Sequence, residues 1–230
     1  CIGFCHCFDP LATTEPELLM HDSLVTLFST KPLKHPPHLL AHHTAGLIEA
    51  GLDEAGRGCL AGPVVAAAVV LPPDYHHARL TDSKQLSARQ REALRADIHA
   101  SAVAWAVAEA AVEEIETYNI EKASHLAMHR AVAALRVRPE HLLIDGNRFT
   151  PYPLLPHTCI VGGDAKFLAI AAASILAKQH RDELMHRLDA EFPAYGWATN
   201  AGYPTPAHQA ALRQHGPTGH HRRTFRLRYD

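Results

Sequence analysis

Apolar and polar positions along the chain become regular from Gly46 onward. Residues 47–52 form a short apolar run that ends in Asp53 and Glu54, and residues 64–71 form a second apolar run. Three glycines separate the two runs, and two prolines close the second. Short apolar runs bounded by glycine and proline are typical of strands. The pattern therefore predicts two strands joined by a glycine-rich turn.

The middle of the chain alternates between helix and strand signals. Ser87, with Gln90 three residues later, has the pattern of a capping box and predicts a helix beginning there. Residues 103–107 alternate between alanine and larger apolar residues, which favours a third strand, although an alanine-rich helix stays open. Asn119 is expected to cap a helix over residues 120–135, whose small apolar side chains recur at helical spacing.

The carboxyl-terminal half continues this alternation. Apolar runs at residues 142–144 and 158–161 predict two more strands, and a long helix is expected over about residues 165–191, before Pro193. One short helix is expected near residues 207–215. Strands that first follow one another and then alternate with helices indicate an α/β fold. We expect a mixed β-sheet flanked by helices, with a C-terminal helical segment.

Residues 1–45 lack this regularity. They mix proline, histidine and threonine with one short apolar stretch, so we expect a poorly structured N-terminal extension. The segment does not have the cationic start, apolar middle and small-residue cleavage site of a secretory signal. No apolar run in the chain reaches the roughly 18 residues of a membrane-spanning helix. We therefore expect a cytoplasmic protein with no membrane partner.

Composition and charge narrow the class of protein only a little. With 47% hydrophobic and 20% charged residues, the chain has the make-up of a globular protein. Its formal net charge of −2 does not by itself indicate a nucleic-acid partner. Arginines crowd the last residues, which leaves open an exposed basic tail or contact with phosphate. The odd number of cysteines, five, argues against the disulfide scaffold of a secreted protein.

Acidic side chains lie at or near the predicted elements in three places. Asp53 and Glu54 close the first strand, Asp145 closes the fourth, and Asp182 lies inside the long helix. Hard divalent cations such as Mg²⁺ prefer oxygen ligands. Two such ions about 4 Å apart activate water and stabilise the leaving oxygen in phosphodiester hydrolysis. Four carboxylates from separate elements suit that chemistry, although each acid alone is better explained as a solvated residue.

Two further patterns have both a functional and a structural explanation. Lys178 and Asp182 lie four residues apart on one helical face, where an ordinary ion pair is favoured over part of a site. Gly56, Arg57 and Gly58 permit backbone amides to approach phosphate or sugar oxygens closely. From the pattern alone, a tight turn is the better explanation of these glycines. The motif of a P-loop nucleotide site does not occur in the sequence.

Taken together, these segments resemble the signatures of type 2 ribonucleases H, specifically the ribonuclease HII family. The segments occur in family order over roughly residues 46–225, which makes the resemblance specific. They are GLDEAGRG (51–58) with AGPV (61–64), DSKQLS (82–87), IDG (144–146), GDAK (163–166) followed by residues 170–178 and RD (181–182), GYPT (202–205) with His208, and HRRTF (221–225).

The resemblance implies roles for ten positions. The expected catalytic and metal-binding carboxylates, which would hold two Mg²⁺ or Mn²⁺ ions, are Asp53, Glu54, Asp145 and Asp182. The expected substrate contacts are a loop around the 2′-hydroxyl and phosphate, a tyrosine that senses the ribonucleotide sugar, and two lysines near the nucleic-acid backbone. These are, in that order, Gly56, Arg57 and Gly58; Tyr203; and Lys84 and Lys178.

The resemblance also implies the activity and the organisation of the chain. We expect a ribonuclease H-like catalytic core over residues 46–192 and a C-terminal segment, residues 193–230, that completes the substrate site. The implied enzyme is a monomeric, metal-dependent endonuclease acting on the RNA strand of RNA/DNA hybrids. It would also cut 5′ of ribonucleotides embedded in duplex DNA, leaving 3′-hydroxyl and 5′-phosphate ends. Whether a sliding clamp recruits it is left open.

Two alternatives and two departures accompany this prediction. Another nuclease or transposase of the same fold would share the acids, but not the glycine loop together with Tyr203. A non-catalytic nucleic-acid-binding module would be favoured only if a metal carboxylate were missing. Ala201 stands where the family often has lysine, which puts one backbone contact in doubt, and Phe167 replaces a residue that is usually small and polar. Neither departure involves the four carboxylates.

Overall fold

Five strands form one mixed sheet. The computed structural model describes residues 39–77, 79–80, 83 and 86–225. In the sheet order β3-β2-β1-β4-β5, the two pairs on the β3 side of β1 are antiparallel, and the two pairs on its other side are parallel. The strands are β1 (Glu49–Ala55), β2 (Val64–Val70), β3 (Ala104–Ala110), β4 (His141–Asp145) and β5 (His157–Ile160).

Helices cover both faces of the sheet. Helix α3 packs against β2 and β3 on one face, whereas α4, with α1 beside it, packs against β1 and β2 on the other. The predicted α/β fold, with a mixed sheet and a C-terminal helical segment, is confirmed. The helices are α1 (Ala88–Ser101), α2 (Val112–Tyr118), α3 (Ile120–Ala133), α4 (Leu168–Glu191), α5 (Trp197–Asn200) and α6 (Pro206–His215).

The side chains of β2 explain why both faces are covered. Successive side chains of a strand point to opposite faces, and a strand buried on both sides is apolar throughout. Every residue of β2 is buried. Val64, Ala66, Ala68 and Val70 belong to the core that contains α3, whereas Val65, Ala67 and Val69 belong to the core that contains α1 and α4.

Helix α4 lies close to β1 because Gly51 has no side chain. A Cβ atom at this position would lie 2.2 Å from the carbonyl carbon of Ala169. The buried residues that follow on the helix, Ala171, Ala172 and Ala173, are equally small. This close contact brings the polar residues farther along α4 to the end of β1, where the first predicted acids lie.

Two helices begin at side-chain caps that the sequence predicted. Ser87 Oγ accepts from the Gln90 N–H at 3.3 Å, and the Gln90 side chain accepts from the Ser87 N–H at 2.9 Å. Asn119 Oδ1 accepts hydrogen bonds from the N–H groups of Glu121 and Lys122, the second and third residues after it. Caps of this kind contribute about 1 kcal/mol each. Both predicted helix starts are confirmed.

Some boundaries differ from the sequence prediction. Helix α4 begins at Leu168 rather than near residue 165, because Gly163–Ala165 form a 3₁₀ turn after Gly162, which has a left-handed backbone. Strand β3 runs on to Ala110, which excludes the alternative of an alanine-rich helix. Helices α2 and α5 were not predicted, because seven and four residues are too few for a helical period to show.

Leu40, which precedes Gly46 in the chain, contacts the core. Leu40 donates its N–H to the Lys166 carbonyl at 2.8 Å and accepts from the Leu168 N–H at 3.0 Å. Residues 1–38 of the predicted N-terminal extension lie outside the described residues, and the domain boundaries stay predictions. Among the helices of the described residues, none is long and apolar enough to cross a membrane.

Candidate active site

Three carboxylates meet at one edge of the sheet. Asp53 lies near the end of β1, Asp145 ends β4, and Asp164 lies in the 3₁₀ turn that follows β5. These three strands are parallel neighbours, so their carboxyl ends share an edge. One oxygen from each side chain lies within 4.8 Å of the others. Carboxylates from three separate elements are therefore within reach of one ion.

Asp53 is the most deeply enclosed of the predicted acids. Its side chain accepts from the Glu54 N–H at 2.7 Å. Burial raises the pKa of Asp53 well above its usual range, and the charges of Glu54 and Asp145 raise it further, while a hydrogen bond from Ser174 opposes them. A divalent cation would offset this accumulation of negative charge, and three carboxylates are the donor set that a hard cation prefers. The residues present therefore fit a divalent metal.

A backbone contact links Asp145 to the turn that carries Asp164. The Gly163 N–H donates to Asp145 Oδ1 at 2.7 Å. A Cβ atom at Gly163 would lie 2.6 Å from Ile170 Cδ1, so a larger residue would require the Ile170 side chain or the turn to move. Both Gly163 and Asp164 are buried. The position of Asp164 is therefore fixed by β4 and α4 together.

Glu54 lies beside this cluster. Its carboxylate accepts from Arg57 Nη1 at 3.1 Å. Glu54 lines the same small hollow as Asp145 and Arg57, and its charge acts on Asp53. Glu54 is thus positioned to approach an ion that the other three carboxylates hold, although it is not within the 4.8 Å group.

Asp182 lies in an ion-pair network on α4 and is not part of the three-carboxylate group. Lys178 Nζ donates to Asp182 Oδ1 at 2.5 Å, and Arg91 Nη2 lies 3.5 Å from Asp182 Oδ2. This is the ion pair that the helical spacing favoured. Of the four predicted carboxylates, the structure brings Asp53, Glu54 and Asp145 together, and it gives Asp182 cationic partners instead.

Asp164 was missed by the sequence reasoning, although a signal for it existed. It follows the predicted strand over residues 158–161 by three residues, after a pair of glycines. That is the kind of position that drew attention to Asp145. The GDAK segment entered the family resemblance, but its acid was not assigned a metal-binding role.

Two buried arginines contact the glycine loop, residues 56–58. Gly56 has a φ of +96°, and a Cβ atom there would lie 2.0 Å from Arg181 Nε. Arg181 and Arg222 are both almost fully buried. Their guanidinium groups donate to backbone carbonyls of the loop and of the turn before Tyr203. The accepting residues are Ala61, Pro63 and Ala201 for Arg181, and Arg57, Gly62 and Pro63 for Arg222.

Tyr203 lies beside this loop. A Cβ atom built at Gly58 would be 4.0 Å from Tyr203 Cε1, and the Leu60 N–H donates to the Gly202 carbonyl at 2.8 Å. The Tyr203 ring is 43% exposed. Burial of its hydroxyl raises the pKa of Tyr203, and neighbouring Cys59 raises it further. The structure thus brings the predicted sugar sensor and the predicted substrate loop together.

The structure describes only one of the two predicted lysines. Lys178 is partly exposed and bonded to Asp182. Lys84 lies outside the described residues. Arg222, one of the arginines of the basic C-terminal tail, is buried and supports the glycine loop, so it is not part of an exposed basic surface. Sequence position alone did not distinguish Arg222 from its exposed neighbour Arg223.

Comparison with known families and proteins gives a consistent result. The family described as Ribonuclease HII matches residues 50–230. Ribonuclease HII of Parabacteroides distasonis is 61% identical over 189 residues, covering 82% of this chain and 95% of the relative. Ribonuclease HII of Bacteroides thetaiotaomicron is 59% identical over 192 residues, covering 84% of this chain and 96% of the relative.

Solved structures agree with this at the level of the fold. The crystal structure of ribonuclease H2 from Pyrococcus horikoshii OT3 superposes with a TM-score of 0.66 at 26% identity. The match covers 78% of this chain and 94% of that chain. The mixed sheet with helices on both faces is accordingly the ribonuclease H-like fold that the sequence predicted.

Proposed function

This chain belongs to the ribonuclease HII family, which cleaves RNA in RNA/DNA hybrids, and from this premise we propose that it also cuts duplex DNA at embedded ribonucleotides. Cleavage falls on the 5′ side of the ribonucleotide and leaves 3′-hydroxyl and 5′-phosphate ends. The main support is one juxtaposition. Residues 53–58 form one continuous segment from Asp53 of the carboxylate cluster to the glycine loop, and Tyr203 lies beside that loop at Gly58.

The proposed metal site consists of Asp53, Asp145 and Asp164, with Glu54 beside them. The family depends on divalent metal, and we propose two ions, Mg²⁺ or Mn²⁺. When bound, they supply activation of water and stabilisation of the leaving oxygen. The carboxylates of this chain hold the ions and do not attack the phosphate. Asp182, the fourth carboxylate expected from the sequence, instead neutralises Lys178 and Arg91 beside the site.

The glycine loop and Tyr203 supply the recognition of the substrate. Without side chains at Gly56 and Gly58, the loop amides can approach the 2′-hydroxyl and the adjacent phosphate. The Tyr203 ring lies against the sugar that carries this hydroxyl. The 2′-hydroxyl is what distinguishes RNA from DNA at a given position. A site built to bond a hydroxyl rejects the analogue lacking it by roughly 10⁴-fold or more.

The direct test is cleavage of a duplex that carries a single ribonucleotide, compared with an all-DNA duplex of the same sequence. We expect one cut, 5′ of the ribonucleotide, with ends that a ligase and a phosphatase identify. Asp53→Asn and Asp145→Asn should abolish cleavage while retaining binding, because an amide is a poorer ligand for a hard cation. Glu191→Gln, an exposed acid at the far end of α4, is the matched control and should cleave normally.

Either of two results would contradict the proposal. Cleavage of the all-DNA duplex at a similar rate would assign the chain to a nuclease without a sugar sensor. Near-normal turnover of Asp53→Asn at saturating Mg²⁺ would remove that carboxylate from the metal site. A monomeric state and a cytoplasmic location stay predictions, and light scattering during size-exclusion chromatography tests the first.

A further inference from the structure

Two histidines face each other inside the C-terminal segment. His208, in α6, and His221 are both almost fully buried. Their Nε2 atoms lie 3.1 Å apart, a hydrogen-bonding distance. The proposed chemistry at the carboxylates uses neither ring. A buried imidazole pair requires that exactly one of the two facing nitrogens carries a hydrogen.

The partners of His208 assign its hydrogen. Its Nδ1 lies 2.9 Å from the Tyr203 carbonyl, which can only accept, so Nδ1 donates. The indole N–H of Trp197 can only donate, and it lies 3.1 Å from His208 Nε2. Nε2 of His208 is therefore an acceptor. The ring is neutral, with its hydrogen on Nδ1.

The hydrogen-bond partners of His221 show which of its ring nitrogens carries the hydrogen. Its Nδ1 accepts from the Thr218 N–H at 2.9 Å. Its Nε2 therefore carries the hydrogen and donates to His208 Nε2, whose single lone pair it shares with the Trp197 N–H. The hydrogen bonds thus run in one direction, from Thr218 through His221 and His208 to the Tyr203 carbonyl. Any additional proton on either ring would set two donors against each other.

This chain of hydrogen bonds joins the Tyr203 turn to the segment that follows the glycine loop. His221 forms a β-bridge with Ala61, and the flanking backbone bonds run from the Gly62 N–H to the His220 carbonyl and from the Arg222 N–H to the Leu60 carbonyl. Residues 60–62 directly follow the loop. One end of the relay is thus fixed to the segment that follows the loop, and the other end to the backbone of Tyr203.

We propose that His208 and His221 form a neutral hydrogen-bonded pair that positions Tyr203 against the ribonucleotide sugar. They are positioning residues, since neither contacts the reacting phosphate. The inference rests on the proposed function, in which Tyr203 senses the sugar. The Tyr203 ring is exposed while its carbonyl is held inside, so the relay restrains the backbone and leaves the ring available to the substrate.

The surroundings favour the neutral form of both rings. Burial, together with the neighbouring imidazoles of His208 and His220, lowers the pKa of His221 to about 4. Burial likewise lowers the pKa of His208, against hydrogen bonds from its ring to the backbone of Tyr203 and Gly202. The other polar or charged groups around the pair are the Tyr195 ring, 4.8 Å from the His221 ring, and the guanidinium of Arg222 at the next position.

A double-mutant cycle tests the proposal in the full-length protein. The variants are His221→Leu, Tyr203→Ala and both together, and the measurement is kcat and KM on a duplex with one embedded ribonucleotide. Misplacement of a positioned group by about 1 Å can lower a rate by ~10²-fold. We expect His221→Leu to lower kcat at least tenfold in the Tyr203 chain and to have no further effect when Tyr203 is already alanine. His221→Gln, whose amide retains a donor towards His208, should recover most of the rate.

Equal loss of kcat from His221→Leu in both Tyr203 backgrounds would overturn the positioning role and leave the proposed function intact. Full activity of Tyr203→Ala would overturn both. Tyr195→Phe is the matched control: it removes a partly buried hydrogen bond to the Gly216 carbonyl and keeps the ring that lies beside His221. It should lower stability and spare kcat.

A second measurement does not depend on activity or on any substitution. Nuclear magnetic resonance of the protein labelled with ¹⁵N-histidine distinguishes protonated from unprotonated ring nitrogens. We expect a hydrogen on Nδ1 of His208 and on Nε2 of His221, with a coupling across the hydrogen bond between the two Nε2 atoms. The opposite tautomer in either ring, or a doubly protonated ring at pH 7, would overturn the relay.

Discussion

The unfavourable burial of negative charge in this site falls mainly on one residue, Asp53. It is almost fully buried, and Glu54 and Asp145 add negative charge around it. Removing charged carboxylates from water is unfavourable unless they are paired or bound to metal. The hydrogen bonds from Ser174 and from the Glu54 N–H compensate only in part. A bound cation would neutralise this buried charge, which is the physical basis of the proposed metal site.

The first prediction concerns which acid belongs to the proposed metal site, Asp164 or Asp182. Asp164→Asn should weaken Mn²⁺ binding and lower cleavage by ~10²-fold or more, the usual effect of removing one preorganised electrostatic group. Asp182→Asn should lower cleavage by less than about tenfold, since it loses partly exposed ion pairs worth ~1 kcal/mol or less. Titration calorimetry with Mn²⁺ and single-turnover rates measure the two effects. The reverse ranking would restore Asp182 to the metal site.

The comparison of Asp164 with Asp182 shows where sequence reasoning reached its limit at the residue scale. The family resemblance gave all four acids a metal-binding role, and of these the structure brings Asp53, Glu54 and Asp145 together. Asp182 was assigned through the family resemblance, although its spacing from Lys178 already indicated an ion pair. Which face of α4 points to the sheet edge depends on the 3₁₀ turn before the helix, and no periodic pattern encodes that turn.

The second prediction concerns the ring of Tyr203. Tyr203→Ala should reduce cleavage at a single ribonucleotide far more than any change in stability explains, because the ring is 43% exposed and contributes little to the core. Tyr203→Phe retains the ring and should retain most of the activity if contact with the sugar is the main contribution. Cleavage rates combined with thermal melting separate the two effects. A stable Tyr203→Ala variant that cuts at full rate would exclude the sensor role.

At the scale of elements, the packing of α4 on β1 fixes the site. Gly51 permits the close approach that carries Ser174 to Asp53 and Arg181 to the loop at Gly56. The same helix therefore positions Ser174 beside Asp53 in the proposed metal site and Arg181 against the glycine loop. This coupling means that a change in the distance between the helix and the sheet affects both parts together.

Gly51→Ala is the third prediction. The new methyl group would overlap the backbone at Ala169, which cannot move without shifting α4. Overpacking of this kind costs roughly 1–3 kcal/mol, sometimes more. At about 2–4 °C per kcal/mol for a chain of this size, calorimetry should show a fall in Tm of roughly 2–12 °C.

The control for this prediction is Gly219→Ala, at an exposed glycine where an added Cβ meets no atom within 4 Å. Its Tm should be unchanged. If Gly51→Ala melts like this control, the close contact between α4 and β1 does not constrain the helix.

Elements with a strong local signal were predictable, and elements set by distant contacts were not. Ser87 and Asn119 cap their helices as expected, because capping depends only on residues three positions away. The α2 helix has no such signal, since Ala111 at its start has no capping side chain. The burial of Arg222 depends on carbonyls about 160 residues earlier, beyond the reach of any local pattern.

At the scale of the whole molecule, the C-terminal segment closes over the loop that it supports. Trp197, His208 and His221 form one buried cluster, and Arg222 extends it to the loop carbonyls. The sequence placed this segment at the substrate site only through the family resemblance. The structure supplies a physical reason, because Arg222 of this segment bonds to the backbone at Gly62 and on both sides of it, at Arg57 and Pro63.

The last prediction is that the protein loses stability in mild acid because of this buried cluster. The folded pKa of His221 is about 4, below the ordinary value of about 6.5 in the unfolded chain. Between these two values the unfolded chain binds more protons, so the free energy of unfolding rises with pH across that window. The contribution is complete above about pH 6.5 and is lost as the pH falls towards 4. At pH 5 the loss is of the order of 1–2 kcal/mol.

Urea unfolding at pH 7 and pH 5 measures this loss, with His221→Gln as the comparison, since glutamine does not titrate. Both chains share every other histidine and carboxylate, so the difference between their pH dependences isolates His221. We expect the stability of the variant to fall less between pH 7 and pH 5 than that of the natural chain. Equal falls would show that His221 accepts a proton in the folded protein without cost, although a proton on Nδ1 would face the N–H of Thr218.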